Sequence, residues 1–197
     1  MALGHGAGGG IDAPDMLVLT AGLVAGRAVV ARFEQPWKVA GRRIAGPATH
    51  LDEAWVQGVH ALAALSLNTL PLIVGGRSTG ARVASRTGCD VGALGVVALA
   101  FPLHPPRRPD RSRAGELSRL PTLVIQGGRD AFGDGAAVSA SGALGRNLTV
   151  VDIAGADHGL RVGRAGPITQ PEADEIVGLA GRRWMLQLLA GNLRGSS

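Results

Sequence analysis

One segment of the chain has the residue pattern of an activated nucleophile. It reads LIVGGRSTGAR and contains a G-x-S-x-G sequence in which Ser78 lies between Gly76 and Gly80. An apolar run leads into the segment and residues Ala81 to Thr87 can form a helix, which is the strand, turn and helix setting of a nucleophile elbow. Both glycines have a steric reason there, because a Cβ atom would crowd the tight turn. A Gly-rich turn that merely joins a strand to a helix is the alternative.

A serine needs a base, and the base needs a third group that orients it. Asp130, in QGGRDAFG, follows a later apolar run, and His158, in GADHG, follows the last one. If these runs are parallel strands, their carboxyl ends meet at one edge of a sheet, so we predict that Ser78, Asp130 and His158 converge. Asp152 and Asp157 compete for the role of acid. The first lies inside a predicted strand and the second adjoins the base, so neither can easily approach the imidazole from behind.

The N-terminal sequence HGAGGG, which starts at His5, offers small residues that would let backbone N–H groups approach a developing oxyanion. We assign the two donors to Ala7 and to Thr79, the residue after the serine. A phosphate-binding loop is the rival interpretation. It fits poorly, because there is no G-K-[ST] sequence and the G-x-G-x-x-G spacing fails at Ile11.

Short apolar runs alternate with helical periodicity along the chain. The predicted strands are Ala28–Phe33, Leu70–Gly75, Ala93–Phe101, Pro121–Gln126 and Asn147–Ile153, with a stub at Met1–Gly4. The predicted helices are Asp12–Leu23, Leu51–Leu67, a weaker one at Asp134–Leu144, and one that opens at Thr169. The alternation predicts an α/β fold with a mostly parallel sheet and helices on both faces. Two long loops, Pro36–His50 and Pro102–Glu116, would shape the pocket.

Local signals suggest where two helices begin and which face they bury. Thr49 and Asp52 resemble a capping box at the start of the first. The apolar stripe of that helix would be Leu51, Trp55, Val59 and Leu62, and the stripe of the C-terminal helix would be Ile176, Ala180, Trp184 and Leu188. Trp184 is therefore expected in the core rather than against a cofactor.

Length and composition point to one domain covering residues 1–197, since the chain has a mass of 20.0 kDa. Apolar residues make up 46% and charged residues 18%, which excludes disorder as the main state. The 31 glycines show no triplet period, which excludes collagen, and the 3% of aromatic residues argues against stacking platforms for single-stranded nucleic acid.

The formal net charge is +5, yet the arginines are spread along the chain. The densest run, Arg107 to Arg113, lies in a Pro-rich loop and is interrupted by Asp110, so we expect no nucleic-acid partner. The N-terminal apolar stretch is too short to span a bilayer, and the single cysteine, Cys89, suits a reducing compartment. We expect a cytoplasmic protein with no membrane partner, no metal site and no cofactor.

Taken in order, the motifs HGAGGG, GGRSTGAR, AFPLHPP, QGGRDAFG and GADHG resemble those of small, lidless α/β-hydrolase-fold proteins common in actinobacteria. These proteins are akin to dienelactone hydrolases and to a eukaryotic branch that includes a subunit of a histone-acetyltransferase complex. The resemblance extends from His5 to about Leu189. It implies an α/β-hydrolase fold without a cap domain and a triad of Ser78, Asp130 and His158, with Ala7 and Thr79 around the oxyanion. Dienelactone hydrolases use a cysteine nucleophile, so their substrate is not carried over.

The residues and the resemblance together predict a serine hydrolase that cleaves a small-molecule ester or thioester. Because the eukaryotic relatives act in assemblies, the alternative is a hydrolase-like fold that serves as a protein interaction module without turnover. Arg77, just before the serine, is expected to have a structural role, pairing with a carboxylate behind it.

In the fold that the sequence resembles, a hairpin and a full central strand precede the His-Gly loop, whereas only Met1 to Gly4 precede it here. The resemblance therefore implies that the first strands are missing and that the true start lies upstream. The missing central strand would lie between the strands at Ala28 and Leu70. We expect the chain to be less stable than a longer form, and an exposed sheet edge at Ala28 would allow a homo-oligomer.

Overall fold

The computed structural model describes residues 1–62, 64–65, 70–141 and 147–195. Within this part of the chain, six parallel strands form one sheet in the order β2-β1-β3-β4-β5-β6. The strands are β1 (Ala2–Gly4), β2 (Ala31–Phe33), β3 (Val74–Arg77), β4 (Val96–Leu99), β5 (Thr122–Gly127) and β6 (Leu148–Ile153). The predicted parallel sheet is thus confirmed, and it brings the residues that follow β3, β5 and β6 to one edge.

Helices cover the two faces of this sheet. They are α1 (Pro14–Ala25), α2 (Pro36–Val39), α3 (Ala48–Leu62), α4 (Thr79–Thr87), α5 (Gly135–Ala140) and α6 (Gln170–Gly195), with a 3-10 turn at Ala114–Glu116. Side chains alternate between the faces, as strand geometry requires. Leu3 and Val97 join the core under α1 and α6. Ala2 and Val96 join the core under α3 and α4.

The three residues of β1 lie between β2 and β3, one strand in from the edge of the sheet. Ala2 is in register with Ala31 on one side and with Val74 on the other. This is the position predicted for the stub, between the strands that were expected at Ala28 and Leu70. Both neighbours are shorter than predicted, since β2 starts at Ala31 and β3 at Val74. The lower stability expected of the chain stays a prediction.

Three local predictions were wrong. α3 begins at Ala48, so Thr49 lies inside its first turn rather than at its cap, and Asp52 instead forms an ion pair with Arg86. The segment Pro36–His50 is not a continuous loop, because it contains α2 and the start of α3. Ile176 is exposed.

The buried stripe of α6 consists of Ala173, Val177, Trp184 and Met185. Ala180 and Leu188 of the predicted stripe are partly buried against the same core, so the buried face includes most of the predicted one and extends one residue beyond it, and Trp184 is in the core as expected. The predicted end of the helix near Leu67 and that of the helix near Leu144 lie outside the described residues.

Of the described helices, none has the length and apolar character needed to cross a membrane.

Candidate active site

Ser78 lies on a strained turn between β3 and α4. Its φ of 52° and ψ of −109° place it in a region that residues with a side chain rarely adopt. The turn closes tightly against β1, because a Cβ atom on either Gly76 or Gly80 would collide with the carbonyl oxygen of Gly4. The steric reason inferred for the two glycines is therefore present, and the turn projects the serine above the sheet edge.

The structure brings the three predicted residues together. The Oγ atom of Ser78 lies 3.0 Å from Nε2 of His158. On the other side of the ring, Nδ1 of His158 lies 2.8 Å from Oδ2 of Asp130. A carboxylate at Nδ1 fixes the tautomer in which Nδ1 donates and Nε2 accepts, so the imidazole is oriented to take a proton from the serine hydroxyl.

Both carboxylate oxygens of Asp130 accept a hydrogen bond, and these bonds hold the side chain in place. The backbone N–H of Phe132 donates to Oδ1 at 2.8 Å, and the Gln126 side-chain amide donates to Oδ2 at 2.9 Å. The Asp130 side chain is fully buried, so these donors replace the water that an ionised carboxylate would otherwise need. The two competing carboxylates form other hydrogen bonds. Asp152 accepts from the N–H of Gly135, and Asp157 accepts from the N–H of Gly159 in the turn that follows it.

The His158 loop is fixed by two contacts outside the triad. The ring of Phe132 lies against the imidazole with a centroid distance of 4.2 Å. The guanidinium of Arg77 donates from Nη2 to the carbonyl oxygen of His158 at 3.1 Å. Arg77, at the end of β3, therefore also positions the segment that carries His158.

Arg77 has the carboxylate partner that the sequence predicted. Its Nε atom donates to Oδ2 of Asp15 at 3.2 Å. Only 17% of the Arg77 side chain and 5% of the Asp15 side chain are exposed. Burial raises the pKa of Asp15, and the positive charge of Arg77 works against that rise. The pair ties the first turn of α1 to the elbow.

The buried His5 side chain anchors the loop that lies beside Ser78. Its ring is fully buried, with Nδ1 placed to donate to the carbonyl of Gly6 at 2.7 Å. Nε2 accepts from the backbone N–H of Gln35 at 3.0 Å, and Oε1 of Glu34 lies 2.9 Å from the same nitrogen. A Cβ atom on Gly6 would lie 3.2 Å from Cβ of Ser78, so this loop abuts the elbow.

Ala7 and Thr79, the predicted oxyanion donors, lie directly beside these features. Ala7 follows Gly6, which packs against the serine, and Thr79 is the first residue of α4. Early backbone N–H groups of a helix have no partner within the helix, which leaves that of Thr79 able to bind a ligand.

The matched family model describes an alpha/beta hydrolase domain and covers residues 1–178. The chain belongs to this family. No curated protein matches the chain. Solved structures share the fold at low sequence identity, and three of them cover nearly the whole chain of this alpha/beta hydrolase.

The first is a hydrolase of the alpha/beta superfamily from Xanthomonas campestris pv. campestris, with a TM-score of 0.66 at 16% identity, covering 94% of this chain and 97% of its own. The second is an α/β serine hydrolase without a lid from Xanthomonas campestris, with a TM-score of 0.64 at 20% identity over 93% and 82% of the two chains. The third is Est1E from Butyrivibrio proteoclasticus with ferulic acid bound, with a TM-score of 0.64 at 16% identity over 96% and 88%.

Sequence reasoning missed several residues that support the site of this alpha/beta hydrolase. They are Asp15, Gln35, Gln126 and Phe132. One sequence feature could have identified Gln126, because it is a polar residue that ends an apolar strand four positions before the predicted acid. No local sequence feature identifies Asp15, since its partner Arg77 is far away in sequence.

Among the residues that the structure describes, no group of three His, Cys, Asp or Glu side chains could hold a metal ion.

Proposed function

We propose that this alpha/beta hydrolase is a serine hydrolase that cleaves small carboxylic esters or thioesters through an acyl-enzyme. The observation that carries the proposal is the continuous chain of contacts from the Ser78 hydroxyl through the His158 imidazole to the buried Asp130 carboxylate. That order of groups is what an unactivated hydroxyl needs to become a nucleophile at neutral pH.

The reaction would proceed in two halves. His158 Nε2 takes the proton from Ser78 Oγ while this oxygen attacks the carbonyl carbon, and Asp130 stabilises the imidazolium that forms. The N–H groups of Ala7 and Thr79 stabilise the tetrahedral oxyanion. The intermediate collapses when the bond to the alcohol or thiol breaks and His158 returns the proton to that leaving group. A water molecule then repeats the sequence on the acyl-serine and releases the acid.

The structural relatives support this class of reaction. One is named as a serine hydrolase without a lid, and Est1E was solved with ferulic acid, an aromatic carboxylic acid, bound. The five motifs further support a place within the dienelactone-hydrolase-like, actinobacterial type. We also propose that residues 1–197 act as one domain in the cytoplasm.

The test is covalent labelling combined with turnover. A fluorophosphonate probe should label the wild type, and the protein should hydrolyse short-chain 4-nitrophenyl esters. Ser78→Ala should lose labelling and nearly all turnover, leaving at most the ~10³ to 10⁴-fold acceleration over water that binding and an oxyanion hole provide. Ser139→Ala, an exposed serine on α5, is the matched control and should behave as the wild type.

Equal labelling of the wild type and Ser78→Ala would contradict the assignment of Ser78 as the nucleophile. A wild type that is folded by circular dichroism yet shows neither labelling nor ester hydrolysis would instead support the interaction module.

A further inference from the structure

A basic recess opens beside the loop that abuts the proposed nucleophile. It has a volume of about 420 Å³ and is lined by Ala7, Gly8, Lys38, Gly41, Arg42 and Arg43. Ala7 directly follows Gly6, which packs against the Ser78 side chain. A substrate whose carbonyl lies at Ser78 could therefore extend into this recess.

The basic residues of the recess are carried on an anchored turn. Trp37 in α2 is buried, and its ring meets His5 edge-on at a centroid distance of 5.4 Å. Two residues after α2, Gly41 adopts the left-handed region with φ +66°, and the N–H of Arg42 donates back to the carbonyl of Trp37 at 2.7 Å. This closure reverses the chain in the manner of a Schellman motif. The turn thus fixes the backbone of the two arginines next to the recess.

The positive charge of the recess is not neutralised by carboxylates of its own lining. Across the described ranges, Lys38, Arg42 and Arg43 make no ion pair. Lys38 also lines an adjacent recess that contains Asp12 and Glu34. The two arginines therefore carry the uncompensated charge, and no carboxylate lines their recess.

Guanidinium groups match the geometry of carboxylates and phosphates, and a cleft lined by one sign of charge raises the local concentration of opposite charge. We propose that this recess selects esters or thioesters that carry an anionic group, a carboxylate or a phosphate. This inference rests on the proposed serine hydrolase function. It adds the substrate class, which the triad alone does not define.

Matched pairs of esters measure the preference. On the acyl side, 4-nitrophenyl hydrogen adipate is compared with 4-nitrophenyl hexanoate, which has the same chain length and no charge. On the leaving-group side, 4-carboxyphenyl butyrate and 4-phosphonophenyl butyrate are compared with 4-acetylphenyl butyrate. We expect kcat/KM to favour at least one anionic ester by about tenfold, and the preference to shrink at about 0.5 M salt because exposed charges are screened.

Charge-reversal variants test whether the two arginines of the recess cause the preference for anionic esters. The variant Arg42→Glu/Arg43→Glu should lose it, with kcat/KM for the anionic ester falling about tenfold or more and that for the neutral ester changing less than about twofold. Arg182→Glu/Arg183→Glu changes the net charge equally at two exposed residues of α6. Neither residue lines the recess, and Arg182 lies against Gly26 at the end of α1, so this control should keep the preference.

A binding measurement separates the inference from the proposed function. Calorimetric titration of each of the three anionic esters into the Ser78→Ala protein, with and without the two charge reversals, reports binding without turnover. Charge-dependent binding in a protein that hydrolyses no ester would refute the proposed function and leave the recess assigned. An equal preference in the wild type and in the Arg42→Glu/Arg43→Glu variant, or binding of all three anionic esters that the charge reversals leave unchanged, would overturn the inference.

Discussion

The side-chain amide of Gln126 donates a 2.9 Å hydrogen bond to Oδ2 of Asp130, the same oxygen that lies 2.8 Å from Nδ1 of His158. The amide nitrogen also lies 3.1 Å from the carbonyl of Phe101 and 2.6 Å from that of Gly133. Gln126 is fully buried at the end of β5. It is therefore a positioning residue that connects Asp130 to two loops of the sheet edge.

Replacing Gln126 with Leu should lower kcat about 10- to 100-fold, with a smaller change in KM. The variant removes a hydrogen bond to a charged group, which is worth about 1.5 to 3 kcal/mol, and frees Asp130 to turn from the imidazole. Steady-state ester kinetics would measure this, since they separate the change in kcat from the change in KM. The exposed Gln57→Leu serves as the control. An unchanged kcat would contradict the positioning role.

Replacing Arg77 with Gln should lower the free energy of unfolding at pH 7 by about 3 kcal/mol, because it leaves Asp15 buried without its cation. Asp15→Asn/Arg77→Gln should lose less than the sum of the two single variants, because the double variant leaves neither charge unpaired. Urea denaturation of all four proteins measures the coupling. Additive losses would mean that the two side chains do not interact.

The pH dependence of the Arg77→Gln variant follows from Asp15. Burial already raises the pKa of Asp15 in the folded state above 3.8, and loss of Arg77 raises it further. A group whose folded pKa is raised binds more protons in the folded state, so its contribution to stability falls as pH rises through that window. The destabilisation of the variant should therefore be largest at neutral pH and shrink toward pH 3.8. A loss that grows on acidification would contradict this account.

Glu116 should make the protein lose stability in acid. Its carboxylate binds Arg82 through two hydrogen bonds of 2.8 and 2.7 Å and also pairs with Arg86, so it ties the 3-10 turn to α4. Burial pushes the pKa of Glu116 up, but the hydrogen bonds and charges of the two arginines outweigh it and leave the pKa below 4.5. The stabilisation is present above pH 4.5 and disappears as pH falls through the lowered pKa.

Glu116→Gln should accordingly cost about 1.5 to 3 kcal/mol at pH 7 and much less near pH 3. Urea denaturation at several pH values measures the difference from the wild type, and the exposed Glu53→Gln on α3 is the matched control. A difference that stays constant over this range would show that the ionised form of Glu116 is not what stabilises the fold.

Gly80→Ala should destabilise the protein by about 3 kcal/mol, because its Cβ atom would collide with the carbonyl oxygen of Gly4 in β1. Helix propensity alone would favour alanine at this position in α4 by about 1 kcal/mol, so a loss isolates the steric effect. Gly46→Ala, where no atom lies within 4 Å of the new Cβ, should change stability by less than about 0.5 kcal/mol. Thermal and urea denaturation compare them, and equal stability would refute the close approach.

The sequence alone predicted the class of fold, because its signals are local. Nearly continuous apolar runs identify buried parallel strands, and glycines on either side of Ser78 identify the elbow. Asp130 and His158 could be assigned because each follows such a run, and parallel strands bring their ends to one edge. The limits of the strands and the full buried face of α6 do not follow from local pattern, since hydrogen bonding between neighbours sets a strand's length and packing against α1 sets the face.

Only the tertiary structure decided which side chains support Ser78, His158 and Asp130. Asp15 and Arg77 are separated by 62 positions, and the partner of a buried charge depends on where distant elements pack rather than on local spacing. The same holds for the recess, where PWKVAGRR reads as a polar loop until burial of Trp37 and the turn at Gly41 set Arg42 beside Ala7. Hydrophobic periodicity predicts the secondary structure of each segment, whereas the pairing of charges is determined only when the segments pack together.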